Sequence, residues 1–250
     1  MAGEHIGDEP SKNYAMDTGR GLTGVGMLAV TLPVLAGAIV LFWLFPGLDL
    51  WASRLLYKGN HEFVGSHSAV LGIVRAFFNA TFALTCVVAA LGLIIASRSG
   101  RSWLSLPFYT WLFLAICLGV GPGIVTNLGL KDHWDRARPH DVMEFGGTKK
   151  FSSPIHPSDQ CESHCSFVSG EASSIFVIFF AAALMFRRRA RTLIALGIML
   201  GTATGFVRMA QGAHFLSDVV FAGILMAFTV AIIELIFSSI MSESRSSLPG

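Results

Sequence analysis

Three short segments hold the residues whose types and spacing could do chemistry. They are Lys131-Asp-His-Trp-Asp-Arg-Ala-Arg138-Pro139, Ser166-Phe-Val-Ser169-Gly170-Glu171 and Arg208-Met-Ala-Gln-Gly-Ala-His214-Phe-Leu-Ser-Asp218. Lys131, Arg138 and Arg208 are three cations, and the planar forks of the two arginines fit phosphate oxygens. Ser169 and Gly170 stand where a helix opens, and its first N–H groups favour an anion. His214 and Asp218 are four residues apart, one helical turn, so they can approach each other if a helix begins there. A carboxylate beside an imidazole fixes its tautomer and leaves the other ring nitrogen as a nucleophile. A phosphoryl group held by such cations and attacked by the histidine would form a phosphohistidine, and water would release phosphate.

The elements that must position these residues are apolar. Of 250 residues, 53% are hydrophobic and only 14% charged, and the mean hydropathy is +0.61. Soluble domains carry about 25% charged residues. A net charge of +2 is too small to suggest a nucleic-acid partner. A bilayer core needs roughly 20 apolar residues in helix. Such runs lie near 25–46, 78–97, 103–129, 166–186, 192–212 and 215–240, the second with a possible start near Val70 that would take in Arg75. The sequence therefore predicts an all-α integral membrane bundle of about six transmembrane helices, one membrane-embedded domain over 1–250. Residues 1–20 read as a polar tail, and the first apolar run is longer than the h-region of a secretory signal.

Short loops rich in Lys and Arg stay cytoplasmic. Lys12 and Arg20, Arg98 and Arg101, Arg187, Arg188, Arg189 and Arg191, and Arg245 all fall on one side when the spans alternate. Both termini are then expected in the cytoplasm, and the loop 130–165 faces outward. Lys131, Arg136, Arg138, Lys149 and Lys150 run against that count and need a reason of their own. The same alternation brings all three segments to one membrane face. Segment 48–68, with Trp51, Leu55 and Tyr57 among polar residues, suits an interfacial helix.

At these residues the chain resembles the type 2 phosphatidic acid phosphatase superfamily, whose pattern is K-x6-R-P, then P-S-G-H, then S-R-x5-H-x3-D. Lys131, Arg138 and Pro139 complete the first element. Arg208, His214 and Asp218 complete the third, with Val207 in place of Ser. In the second, Ser169 and Gly170 remain, but Val168 replaces Pro and Glu171 replaces His. The resemblance implies His214 as nucleophile, Asp218 as its orienting partner, and Lys131, Arg138, Ser169, Gly170 and Arg208 as the phosphate site. The family histidine protonates the leaving oxygen; Glu171 stands in its place and is the expected acid.

The stretch with Phe145-Gly-Gly and Cys165-Ser-Phe-Val-Ser-Gly is similar to the bacterial lipid A phosphatase branch. That likeness implies an inner-membrane enzyme that removes the 1- or 4′-phosphate of lipid A at the periplasmic face, with no cofactor and no metal. Undecaprenyl diphosphate, phosphatidylglycerol phosphate and transfer of phosphate to another lipid are alternative readings. A non-catalytic lipid-phosphate binder or transporter is the alternative of another class, fed by Glu171. Cys161 and Cys165 are expected to form a disulfide in an oxidising compartment; free thiols, or metal ligation with His156 or His164, are the alternatives.

Overall fold

The computed structural model of the protein describes residues 22–99, 102–162 and 165–246. The tail 1–20 with Lys12 and Arg20, as well as Arg101, His164 and the side chain of Arg245, lie outside the described residues. Among the described residues, five apolar stretches are long enough to cross a membrane: Gly24–Leu44, Ala69–Ser99, Phe108–Lys131, Arg187–Ala210 and Leu216–Ser242. In chain order the helices are α1 (Gly24–Leu44), α2 (Gly47–Arg54), α3 (Ala69–Ser99), α4 (Phe108–Leu118), the single turn α5 (Asp132–Trp134), α6 (Gly170–Met185), α7 (Ala190–Ala210) and α8 (Leu216–Ser246). Apolar side chains on α1 and α3, among them Trp43, Ile73 and Phe77, are left exposed. A lipid-facing surface explains them, since a soluble protein rarely exposes an apolar area of that extent.

The sixth apolar helix, α6, differs from the expected span 166–186. It has 16 residues and opens only at Gly170. At about 1.5 Å per residue it is shorter than the roughly 30 Å hydrocarbon core. Its position accounts for this: α6 is the hub of the bundle, packed against α3, α4, α7 and α8. Irregular backbone at membrane depth is tolerated where protein satisfies it. Ahead of α6, Ser166 N–H donates to the Arg136 carbonyl at 2.8 Å and Ser169 N–H to the Asp218 carbonyl at 3.2 Å. Glycines let α7 lie close to its neighbours. A Cβ on Gly201 would fall 2.5 Å from Phe176, and one on Gly205 would fall 2.2 Å from Val219.

The helix of α4 widens into a π-helix over Gly119–Lys131, with Pro122 inside it. Proline lacks the N–H that an α-helical bond needs. Lys131 ends this segment.

Segment 48–68 also departs from expectation. Trp51 and Leu55 do face outward, but Asp49 and Ser53 of α2 are buried against the bundle. A small hairpin follows, β1 (Tyr57–Gly59) paired antiparallel with β2 (Glu62–Phe63). Its Tyr57 and Phe63 rings pack on Phe145, with centroids 5.1 and 5.4 Å away. Gly65 N–H donates to the Ala210 carbonyl at 2.7 Å. The hairpin thus covers the α7–α8 turn, where Gly212 has φ +69° and a Cβ would collide with Phe63 at 2.5 Å.

The bundle has a second polar end. Glu234, sixteen residues beyond Asp218 on α8, accepts from Gly24 N–H at 2.9 Å and from Arg187 Nη2 at 2.6 Å. Sixteen helical residues span about 24 Å.

Candidate active site

His214 sits in the α7–α8 turn and is almost fully buried. Its Nδ1 lies 2.7 Å from the Ser166 carbonyl oxygen and 3.5 Å from Asp218 Oδ2. A carbonyl can only accept, so Nδ1 carries the proton and Nε2 keeps its lone pair. Burial lowers the His214 pKa below the ordinary imidazole value; Asp218 opposes the shift, while Arg208 and Lys131 add to it. Both influences favour a neutral ring with an available nitrogen.

The expected His–Asp pair is therefore present, but the carbonyl of Ser166 is the closer partner. Asp218 does wider work. Its Oδ2 accepts from the Ser166 hydroxyl and, at 2.7 Å, from Phe215 N–H, which fixes both strands of chain around the imidazole. Its Oδ1 accepts from Arg136 Nη1 at 2.6 Å.

Arg136 is the residue that sequence reasoning placed among outer-face cations without a role. It is fully buried under Phe215, whose ring centroid is 4.3 Å from the guanidinium carbon. Its Nη2 donates to Asp49 Oδ2 at 2.8 Å, its Nη1 also to Ser217 Oγ at 2.9 Å, and its Nε to the Ser152 carbonyl at 3.0 Å. Asp49 in turn accepts from Ser217 N–H at 2.8 Å. One guanidinium thus ties α2, the loop 136–152 and the start of α8 together. Burial raises the Asp49 pKa, and Arg136 pulls against that.

The phosphate-site candidates converge beside this scaffold. A Cβ on Gly170 would lie 2.9 Å from Lys131 Nζ, which places the ammonium at the mouth of α6. Ser169 Oγ is buried there without a hydrogen-bond partner, which suits a site for an oxygen-rich ligand. Arg208 donates from Nη1 to Gln211 Oε1 at 2.6 Å. Arg138 is near enough to feel Arg75, Glu171 and Asp218, and burial lowers its pKa below the usual guanidinium value.

Glu171 is gripped by arginines. Arg75 of α3 donates to it from Nε at 2.9 and 3.2 Å, and its Nη2 lies 2.9 Å from Oε1. Arg208 Nε lies 3.5 Å from Oε2. Arg75, which entered the sequence reading only as a residue taken in by an earlier start of the second span, is thus a fourth cation at the site.

The remaining expectations fall as follows. Cys161 and Cys165 are joined in a disulfide. His140 Nδ1 donates to the Gly212 carbonyl at 2.8 Å and braces the turn that carries His214. His133, Lys149 and Lys150 are exposed. Among the described residues no three His, Cys, Asp or Glu side chains are grouped to hold a metal ion.

The sequence profile of the PAP2 superfamily, the type 2 phosphatidic acid phosphatases, matches residues 108–241. A lipid A 4′-phosphatase of Francisella tularensis subsp. novicida (strain U112) is 36% identical over 192 residues, covering 75% of this chain and 85% of that one. A lipid A 4′-phosphatase of Rhizobium leguminosarum is 29% identical over 196 residues, covering 73% and 84%. No solved structure shows a significant match.

Proposed function

This chain belongs to the PAP2 superfamily, and from that premise we propose that it removes the 4′-phosphate of lipid A at the periplasmic face of the inner membrane. That it is a membrane lipid phosphatase follows from its family, its relatives and its apolar helices. The finer reading rests above all on His214, held with Nδ1 on a carbonyl and Nε2 free to attack.

Lys131, Arg138, Arg208 and the Gly170 N–H hold the phosphate oxygens, with Ser169 beside them. His214 Nε2 attacks phosphorus, and the bond to the lipid oxygen breaks. That oxygen takes a proton from Glu171. The phosphohistidine carries positive charge on the ring, which Asp218 and the Ser166 carbonyl stabilise at Nδ1. Water then attacks phosphorus, gives its proton to Glu171, and phosphate leaves. Fixed side-chain cations supply the electrostatic stabilisation, so the reaction as proposed requires no metal. Incoming phosphate competes with Glu171 for Arg208 and Arg75, which releases the carboxyl group toward the leaving oxygen.

Purified protein given lipid A with both phosphates should release one phosphate and leave the 1-phosphate in place, read by mass spectrometry of the product. His214→Ala should lose on the order of 10⁴–10⁶-fold in rate while keeping its melting temperature. Loss of the 1-phosphate instead, or appearance of the phosphate on a second lipid, would replace the substrate position or the hydrolytic outcome. Wild-type turnover by His214→Ala would remove the phosphohistidine.

A further inference from the structure

The arginine run between α6 and α7 lies at the end of the bundle away from His214, and the reaction does not use it. Arg187, Arg188, Arg189 and Arg191 line a mouth of about 690 Å³ with Leu22 and Ile194. Leu22 and Ile194 also line a cleft of about 460 Å³ that continues along the bundle, walled by Val30, Ile198, Phe206 and Val220. The cleft exists because α1 and α7 both pack on α8 while scarcely touching each other. Val30, Ile198 and Phe206 remain exposed along it.

A cationic mouth opening into an apolar cleft matches one chemistry, a negatively charged phosphodiester headgroup followed by an acyl chain. Among the described residues, Glu234 beside the mouth is buried and already accepts from Arg187 and Gly24, so it does not cancel Arg189 and Arg191. Arg189, the N-cap of α7, makes no side-chain capping bond, and the helix starts at Ala190 in the same mouth, adding the positive end of its dipole. A zwitterionic headgroup would leave this positive charge uncompensated.

We propose that the mouth and cleft bind an anionic phospholipid of the leaflet opposite the active site. Its headgroup rests on Arg189 and Arg191, and one acyl chain fills the space between α1 and α7. The site is separate from the catalytic one: the α7 residues Arg191 and Arg208 are about 25 Å apart along the helix.

The test is retention of lipid by the full-length purified protein in detergent, read by native mass spectrometry. Phosphatidylglycerol and phosphatidylcholine with identical acyl chains are the probes. Phosphatidylglycerol should bind on the order of tenfold more tightly. Arg189→Gln combined with Arg191→Gln should erase that preference, and Ile198→Trp, which fills the cleft without touching charge, should weaken both lipids. Phosphatase turnover in each variant should stay at the wild-type level and certify the fold. Equal retention of the two lipids would overturn the proposal, the mouth then being filled by protein, whether the chain's own N-terminal residues or a second copy. Displacement of phosphatidylglycerol by glycerol phosphate would overturn it too, by showing an anion site with no chain requirement. So would an equal loss of preference in Arg54→Gln with Arg98→Gln, the mark of diffuse attraction.

Discussion

Glu171 is where this chain departs from its family, and its partners define what its replacement should do. Both carboxylate oxygens accept from Arg75, and Arg208 Nε forms an ion pair with Oε2 at 3.5 Å. Glu171→Gln keeps the shape but cannot deliver a proton. On a lipid whose leaving group is a poor alkoxide it should lose on the order of 10²–10⁴-fold in rate. On an aryl phosphate, whose leaving group needs no proton, the loss should be far smaller; equal losses would make Glu171 a positioning residue. His214 makes a second test at this scale. Burial lowers its pKa, so the ring stays neutral below the ordinary value of about 6.5. The acid limb of kcat/KM that belongs to His214 should therefore lie below that value. Asp218 opposes the depression, so Asp218→Asn should move this limb to still lower pH as it slows turnover. Substrate titration is common to both proteins and cannot produce the difference. A limb that stays in place would show that His214 does not set it. Lys131 and Arg138, and likewise Arg208, His214 and Asp218, were legible as candidates because each set lies on one short stretch with a fixed spacing. Arg75 and Asp49 were not, because they reach the site from α3 and α2, and no local pattern announces a contact across 96 or 168 residues. Arg136 was half visible, as a cation on the face where the charge bias argued against one.

The elements carry these residues in ways that hydropathy only partly conveys. Apolar runs locate helices in lipid well, and the mixture of apolar and polar residues over 48–68 locates α2. The period of α2 divides it into two faces: Asp49, Ala52 and Ser53 are buried, while Trp51 and Leu55 point outward. This is an interfacial helix turned over, with its carboxylate inside. Asp49 and Asp218 share Arg136 between them. Asp49→Ala removes one acceptor from a fully buried guanidinium. Breaking a buried pair costs about 3–5 kcal/mol, so the variant should melt at a clearly lower temperature in detergent. Asp49→Asn keeps an oxygen to accept from Arg136 and Ser217 and should lose less. Turnover that falls in step with melting would mark a structural brace. Turnover that falls in folded Asp49→Asn protein would show that Asp49 tunes Asp218. The shortened α6 and the π-helical end of α4 were illegible for a different reason. Apolar composition does not say where a helix stops when neighbouring protein, rather than lipid, satisfies the chain beyond it.

At the scale of the whole molecule the two polar ends of the bundle are chemically distinct, and this decides how the protein sits in a membrane. One end holds His214, the basic motifs and the disulfide Cys161–Cys165. The other holds Arg98 at the last turn of α3 and the run Arg187–Arg191. Flexible loop cations bias a segment toward the cytoplasm, where the leaflet is negatively charged. Arg136 and Arg138 weigh little against this, because one is sealed in an ion-pair network and the other is largely buried at the site. The arginine run, three of whose members are exposed on a short connection, should dominate. The active-site end is then expected in the periplasm, which also suits a disulfide, since such bonds persist in oxidising compartments. Thr148 is exposed on the active-site loop, and Ser102 is exposed at the opposite end. Ser152, although on the same loop, is half-buried and holds Arg136 through its carbonyl, so it makes a poor reporter. With Cys86 and Cys117 replaced by Ala, Thr148→Cys should react with a membrane-impermeant maleimide added outside spheroplasts. Ser102→Cys should react only after the inner membrane is opened. The reverse pattern would place the site in the cytoplasm and remove lipid A in the outer leaflet from its reach, whereas labelling of both cysteines from outside would mean that the maleimide had crossed the membrane and would call for a bulkier reagent.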